Sequence, residues 1–320
     1  MIHFHNGDIA ASLARRAGVP GRHVPFRESL VCGPVRTNLP LHDWVEERAR
    51  FLADDHGESV LRVRNDLLEQ ETNLDKAREE EEVVLWFEHD LFCLVHLLYL
   101  LARLSKCRRI TLIWCPQPLG LQTEEELFNL FLSRAAVLPA MTNAASLAWR
   151  AYTSDDPTAL NRLLDHDVAD FPFLRDGLRL HASRFPSTRN GLNEVELRAV
   201  NGIAAGATDF VSLFARFDQA PPRFGFGDGE FLRHLKHLAN VAVPVITIVG
   251  DENANPPKAL FALTPAGINV MEGKVDFIDV NVGNGTQAGF WLGGAHLTRE
   301  RMWRWDADRR QIVPSQPAVS

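Results

Sequence analysis

The sequence predicts an α/β protein. A doubly wound, mainly parallel sheet is expected over residues 1–122, a helical connector over 123–186, and a winged-helix-like α+β domain with a C-terminal tail over 187–320. Three observations carry this prediction. Short apolar runs alternate with helical patterns in the first third of the chain. Strand signals then stop from Thr123 to Phe185. After the turn-rich break PSTRNGLN (Pro186–Asn193), three helical segments precede two strand-like runs, the order of a winged helix-turn-helix.

The elements follow in chain order. IHFH (Ile2–His5) reads as a short strand, NGD (Asn6–Asp8) as a turn, and IAASLARRAG (Ile9–Gly18) as a helix closed by glycine. RHVPFRE (Arg22–Glu28) is a second strand, with Pro25 either weakening it or marking it as an edge. A polar, helix-prone stretch runs from Leu41 to Glu82 and ends in EEEE (Glu79–Glu82), read as a solvated helix end. VVLWF (Val83–Phe87) and RITLIWC (Arg109–Cys115) are apolar on both alternate faces, as strands covered on both sides must be. Between them, the apolar run Leu91–Leu104 is too short to span a bilayer and reads as a buried helix. EEELFNLFLSRA, AASLAWRAY, TALNRLLDHD and PFLRDGLRLHASRF all show helical spacing. Glu194–Gly206, Asp209–Asp218 and Gly229–Asn240 are the three later helices, and PVITIV and ALFAL are the two strands.

At 320 residues the chain is long for one compact domain. Its 46% hydrophobic and 23% charged residues match a globular protein with a sizeable core. A net charge of -7 excludes a global field that draws it to nucleic acid or anionic lipid. The N-terminus has no basic, apolar leader, and no CxxC pair occurs among Cys32, Cys93, Cys107 and Cys115. A cytoplasmic protein with reduced thiols and no membrane partner is expected.

Ligands of an open parallel sheet bind beyond the carboxyl ends of its strands. The first strand ends at Asn6-Gly7-Asp8, the second at Arg27-Glu28 and the third at Glu88-His89-Asp90. In this topology the three polar clusters share one rim. Gly7 permits close backbone approach, and the following helix offers free N–H groups, so with Arg27 the rim suits a phosphate or carboxylate. Asp8, Glu28, Glu88 and Asp90 alternatively suit a divalent cation, with His89 as an extra ligand or a proton carrier. Asp8, His89 and Asp90 are the candidate catalytic residues. Asn6, Gly7, Arg27, Glu28 and Glu88 are the candidate ligand contacts. The simpler reading is that Asp8 and Asp90 cap helices and His89 lies in a turn. His3 and His5 share one face of the first strand, but no spaced cysteine or histidine stands nearby, which speaks against a metal site there. The chain carries no dinucleotide fingerprint, P-loop or nucleophile elbow.

In the C-terminal region the third helix carries Arg233, His234, Lys236 and His237, which could meet phosphates. Acidic and basic residues balance from Pro186 to Ser320, unlike a dedicated DNA binder, so nucleic acid is not the favoured partner. Arg189, Asn190 and His296 are further candidates to reach the rim. Trp291, Trp303 and Trp305 are candidates for a protein contact surface, or for core and lid.

IHFHNGD, FRESLVCGPV, VVLWFEHDLFCLVHLLYLL, PSTRNGLNEVE, LTPAGINVMEG and WLGGAHLT…WRWD together resemble, in this order, a bacterial family known as domain of unknown function 1835. The resemblance implies a bacterial cytoplasmic protein with an α/β N-terminal domain and carries no activity with it. The expected function is binding of a small phosphorylated or nucleotide-like ligand at the rim; a divalent cation, and hydrolysis or group transfer, are options the residues leave open. The alternatives are a transcription regulator, with Arg233, Lys236 and His237 on DNA, and a protein–protein adaptor.

Overall fold

The structure is a computed structural model describing residues 1–37, 39–164, 171–219, 223–281 and 289–315. It divides into two compact units: Met1–Ala159, Asp165–Gly177 and Trp291–Ala295 in the first, Leu160–Leu164, Leu178–Phe290 and His296–Ser320 in the second. Most of the stretch expected as a separate connector therefore belongs to the first unit. Asp165, His166 and Asp167 of the expected helix TALNRLLDHD lie outside the described residues.

The first unit contains β1 (Ile2–Asn6), α1 (Asp8–Arg16), β2 (Arg22–Phe26), α2 (Leu41–His56), α3 (Val60–Lys76), β3 (Val83–Glu88), α4 (Leu91–Arg103), β4 (Ile110–Cys115), α5 (Glu124–Leu132), β5 (Ala135–Ala136) and α6 (Pro139–Tyr152). The sheet order is β2-β1-β3-β4-β5, parallel throughout except for the antiparallel β5. The two-residue β5 had no signature in the sequence. β2 lies at the sheet edge, where Pro25 removes one ladder donor without cost. β3 is central, and Val83–Phe87 are all fully buried, as their uninterrupted apolar run predicted.

Alternation along β1 sorts the two faces. Ala10 and Ala14 of α1, and Leu127 and Phe131 of α5, pack with Val84, Trp86 and Ile113 on one face. His3 and His5 pair in register with Val84 and Trp86 and so share that face. Ile2, Phe4 and Asn6 point to the other, where Asn6 meets α4. α4 is buried nearly all round and packs against α6. Glu82 departs from the expected solvated helix end: it is buried, and its carboxylate is held by Arg134 and by the Thr111 hydroxyl.

The second unit contains α7 (Asn161–Leu164), the end of α8 (Leu174–Ala182), α9 (Glu194–Ala204), α10 (Phe210–Gln219), α11 (Asp228–Ala239), β6 (Ile246–Asp251), β7 (Lys258–Leu263), α12 (Pro265–Met271) and α13 (Phe277–Asn281). β8 (Phe290–Leu292) and β9 (Ala295–Leu297) are each divided between the two units, and β10 (Met302–Asp306) and β11 (Gln311–Ser315) belong to the second. β6 and β7 form an antiparallel hairpin, and Asp209, just before α10, bridges to Leu260 of β7. The distinctive STRNGL segment is structural. The Asn190 side chain donates to the Val270 carbonyl and accepts from Leu192 N–H, while the Asn190 carbonyl accepts from Phe277 N–H. Gly191 has φ 77°, and a Cβ there would lie 2.5 Å from Asp276 Oδ1, so only glycine fits.

Candidate functional site

The sheet order decides where a site can form. β1 and β3 are neighbours, yet the helices that follow them depart to opposite faces, α1 to one and α4 to the other. That is a topological switch point, where an open sheet leaves a crevice at its carboxyl edge. His5 pairs with Trp86, and continuing that register sets Gly7 level with Glu88. The segments Asn6–Asp8 and Glu88–Asp90, about eighty positions apart in the chain, therefore meet at one rim.

Each rim residue has a definite role in the fold. Gly7 caps α1 with φ 89° and ψ 177°. A Cβ there would touch nothing, so the backbone angle, not space, demands glycine. Asp8 is the first helical residue and does not cap. Its carboxylate accepts from Arg27 Nε at 2.8 Å and Nη2 at 2.7 Å, a bidentate pair with both side chains more than half exposed. The hydrogen bonds from Arg27 hold the Asp8 carboxyl below its usual range, and those same bonds raise Arg27. Arg27 therefore already has an anion, which any incoming phosphate must displace.

Asn6 faces inward. Its Nδ2 donates to Cys93 Sγ at 2.9 Å and its Oδ1 meets His96 Nδ1 at 3.1 Å. His96 Nε2 accepts from Leu30 N–H, so Nδ1 carries the proton and Asn6 Oδ1 accepts it. Burial pushes the His96 imidazole down to about 3, which keeps this chain neutral. Glu28 is also turned inward. Its Oε1 accepts from Arg48 Nη2 at 2.6 Å, and both side chains are fully buried. Arg48 further donates to the carbonyls of Ser29, Cys32 and Pro34. Asn6 and Glu28 thus anchor the strand ends and the loop after β2.

Glu88 Oε1 accepts from Leu119 N–H at 3.0 Å, tying β3 to the loop after β4. Asp90 is the N-cap of α4, its Oδ1 accepting from Cys93 N–H at 2.7 Å. The capping expectation therefore fits Asp90, while Asp8 is engaged by Arg27 instead. Potential ligand atoms of Glu88, Asp90 and Cys93 lie within 4.8 Å of one another. Burial raises the Cys93 thiol well above its ordinary value, and the Asp90 and Glu88 carboxylates push it further, so a thiolate is disfavoured. His89 is half-buried between two aromatic rings, Trp114 at 4.8 Å and a parallel Phe173 at 5.6 Å. Phe173 has φ 67°, an unfavourable conformation for an aromatic residue that the packing around it must hold.

Sequence reasoning missed the apolar lip beside this rim. Ile9 is 70% exposed and Leu121 81% exposed, and Gly120 stands 3.6 Å, at its Cβ position, from the Ile9 side chain. It also missed Phe173 and Trp114. None of these four has a signature outside three dimensions.

In the second unit, Arg233 lies 3.4 Å from Glu230, and Lys236 lies 3.0 Å from Asn253 and 3.6 Å from Glu252. His237 meets Glu196 at 2.9 Å. The cationic positions of α11 are thus each balanced by neighbouring polar or acidic groups. Asn190 is committed to its own unit, and Arg189 is exposed. Trp291 belongs to the first unit, Trp303 and Trp305 to the second. Among the described residues no helix is long and apolar enough to cross a membrane. Comparison of the sequence with protein-family models and with curated proteins returns no match.

Proposed function

We propose that the β1–β3 rim binds a small phosphorylated or nucleotide-like ligand together with a divalent cation. The observation that carries this reading is the switch point, which sets Asn6–Gly7–Asp8 beside Glu88–His89–Asp90. Gly7 and the first N–H groups of α1 face a phosphate, as helix N-termini do elsewhere. Asp90 and Glu88 supply oxygen ligands to the cation, and Asp8 contacts the cation or a hydroxyl. Arg27, exchanged from Asp8, neutralises the anion. Ile9 and Leu121 give an apolar surface for a base or similar ring. His89 moves a proton if the bound ligand is hydrolysed or its group transferred.

Asp90→Asn separates binding from folding, because asparagine caps a helix about as well as aspartate. Thermal unfolding is measured against nucleotides, sugar phosphates, Mg²⁺ and Mn²⁺ for wild type, Asp90→Asn and Asp8→Asn. A ligand at a hundred times its dissociation constant adds about 2.7 kcal/mol to the folded state. The reading requires a shift in wild type that both variants lose. It fails if no compound shifts wild type, or if both variants shift equally.

A second reading rests on the helix–helix–helix–hairpin order of α9, α10, α11, β6 and β7 and on the Asp209–Leu260 bridge. These favour a winged-helix-like domain, with α11 as the helix that would enter a groove. Arg233, Lys236 and His237 would then contact phosphates after leaving their present partners. Salt-dependent retardation of duplex DNA, abolished in Arg233→Ala/Lys236→Ala, tests it. The resemblance to domain of unknown function 1835 supports kinship with that family, which adds no ligand to either reading.

A further inference from the structure

His3, His5 and His23 lie together on the α1 face of the sheet, where the rim does not use them. We propose that His3, His5 and His23 form a binding site for one divalent transition-metal ion, of the kind that prefers imidazole, such as Zn²⁺, Co²⁺ or Ni²⁺. The inference stands independently of the rim ligand.

The sheet register builds the cluster. His3 and His5 are two apart on β1, and His23 of β2 is the registered partner of His3. All three side chains therefore project from one face, and one ligand nitrogen of each lies within 4.8 Å of the others. Second partners fix two of the rings. His3 Nε2 donates to the Pro20 carbonyl at 2.9 Å and His23 Nε2 to the Val19 carbonyl at 3.0 Å. Metal-bound histidines commonly have one ring N–H held by a backbone carbonyl, leaving the other nitrogen for the ion. That other nitrogen is Nδ1 in both rings. His23 Nδ1 now accepts from His5 Nε2 at 2.9 Å, and His3 Nδ1 accepts from the Trp86 indole N–H at 3.0 Å. Two nitrogens on one tetrahedral zinc sit about 3.3 Å apart, given bonds of 2.0–2.1 Å. The His5–His23 pair is already close to that span.

The protons balance. An ion taking His5 Nε2 sends its proton to His5 Nδ1, which is buried and has no hydrogen-bond partner among the described residues. No net proton is released. The third ligand, His3 Nδ1, gives up the Trp86 N–H. Burial lowers His3 to about 4, and His5 and His23 also below their ordinary value, so the ion meets neutral rings at neutral pH. Access is from the sheet edge. Half-buried His23 is the member of the cluster nearest the surface and lines a cleft of about 560 Å³ beside β2, while His3 and His5 lie fully buried behind it.

The test is titration of the EDTA-stripped full chain with Co²⁺, whose tetrahedral complexes absorb strongly in the visible. Wild type should bind one equivalent with that spectrum, Zn²⁺ should displace it, and the Trp86 indole N–H resonance should move. His23→Ala should weaken the tetrahedral site at least tenfold, while the tetrahedral spectrum should persist in Asp90→Asn, whose change is confined to the separate rim. His5→Gln should behave like His23→Ala. If His5→Gln does not fold, His23→Ala, a half-buried change on an edge strand, carries the test. No tetrahedral spectrum in wild type overturns the proposal, as does a spectrum that survives His23→Ala. A spectrum lost in Asp90→Asn but kept in His23→Ala would instead place the ion at the rim.

Discussion

Acid should weaken this fold through its buried histidines, and His3 gives the clearest case. The ring is fully buried, stacked 4.4 Å from His23, and wired as a neutral tautomer between Trp86 and Pro20. Burial, with His23 second, lowers its pKa from 6.5 to about 4. The unfolded chain therefore binds a proton near pH 6.5, while the folded chain resists until about pH 4. Between these values the unfolded state holds more protons, so stability rises with pH. The contribution is fully present above pH 6.5 and lost progressively as pH falls toward 4. At about 1.36 kcal/mol for each pH unit between the two values, His3 alone removes roughly 3 kcal/mol by pH 4. The assay is urea unfolding in EDTA at half-unit steps from pH 7.5 to 4.5, for wild type and His3→Gln. His96 and His181 are lowered in both proteins and cancel in the difference, whereas His5, which His3 helps to lower, relaxes upward when His3 is replaced and adds to the effect in the same direction. His3→Gln should be less stable at pH 7.5, and its slope between pH 6.5 and 4.5 should be shallower by about 1.4 kcal/mol per pH unit. Parallel slopes would refute the assignment of a buried neutral imidazole at position 3.

Other changes test other parts of the structure. Arg48→Met leaves Glu28 charged and fully buried and strips donors from three carbonyls, so chemical denaturation should report a loss of about 3–5 kcal/mol. Gly7→Ala forces an L-residue to φ 89° and should cost about 1–2 kcal/mol by the same assay, although space for the methyl exists. His237 is raised by its Glu196 contact despite its burial, so a histidine NMR titration should show it protonated above the ordinary 6.5. The stability it adds is present below pH 6.5 and fades as pH rises through the raised value. Glu196→Gln should return the His237 titration toward the ordinary range.

The sheet was legible because its strands obey a simple rule. Val83–Phe87 and Arg109–Cys115 have no polar face, and only burial on both sides permits that. Periodicity placed the helices after them: the first matches its expected span to one residue, and the second starts at Glu124 as expected but ends at Leu132, three residues short of the end of EEELFNLFLSRA. Asp90 before Leu91 could be read as a cap because the apolar run begins there, and the structure keeps it as one. Asp8 looked the same on paper, but Gly7 takes the cap position and Arg27, nineteen residues on, takes the carboxylate. Inter-strand register was the invisible quantity. Nothing in RHVPF announces that His23 lies opposite His3, and without that pairing the two N-terminal histidines look isolated. Glu28 was misjudged for the same kind of reason. Its partner Arg48 lies on α2, and a carboxylate at a strand end turns inward only if such a cation waits there.

The rim residues divide by what it would cost to move them. Asp8–Arg27 is an exposed pair, of a kind worth about 0–1 kcal/mol, so an incoming anion can take Arg27 from Asp8 almost freely. Glu28–Arg48 cannot be exchanged, since breaking a buried pair costs about 3–5 kcal/mol. Asn6 is locked by Cys93 and His96, and Asp90 gives up one cap, about 1 kcal/mol, if its Oδ1 turns to a ligand. A rim ligand is therefore met by groups of graded stiffness. The backbone at Gly7 and the Asn6 side chain stay fixed, Asp90 leaves its cap only at a modest cost, and Asp8 and Arg27 rearrange. Arg27→Ala then separates two kinds of ligand. An anion should lose affinity, because its counter-charge is gone. A cation held by Asp8 should bind more tightly, because the carboxylate is released.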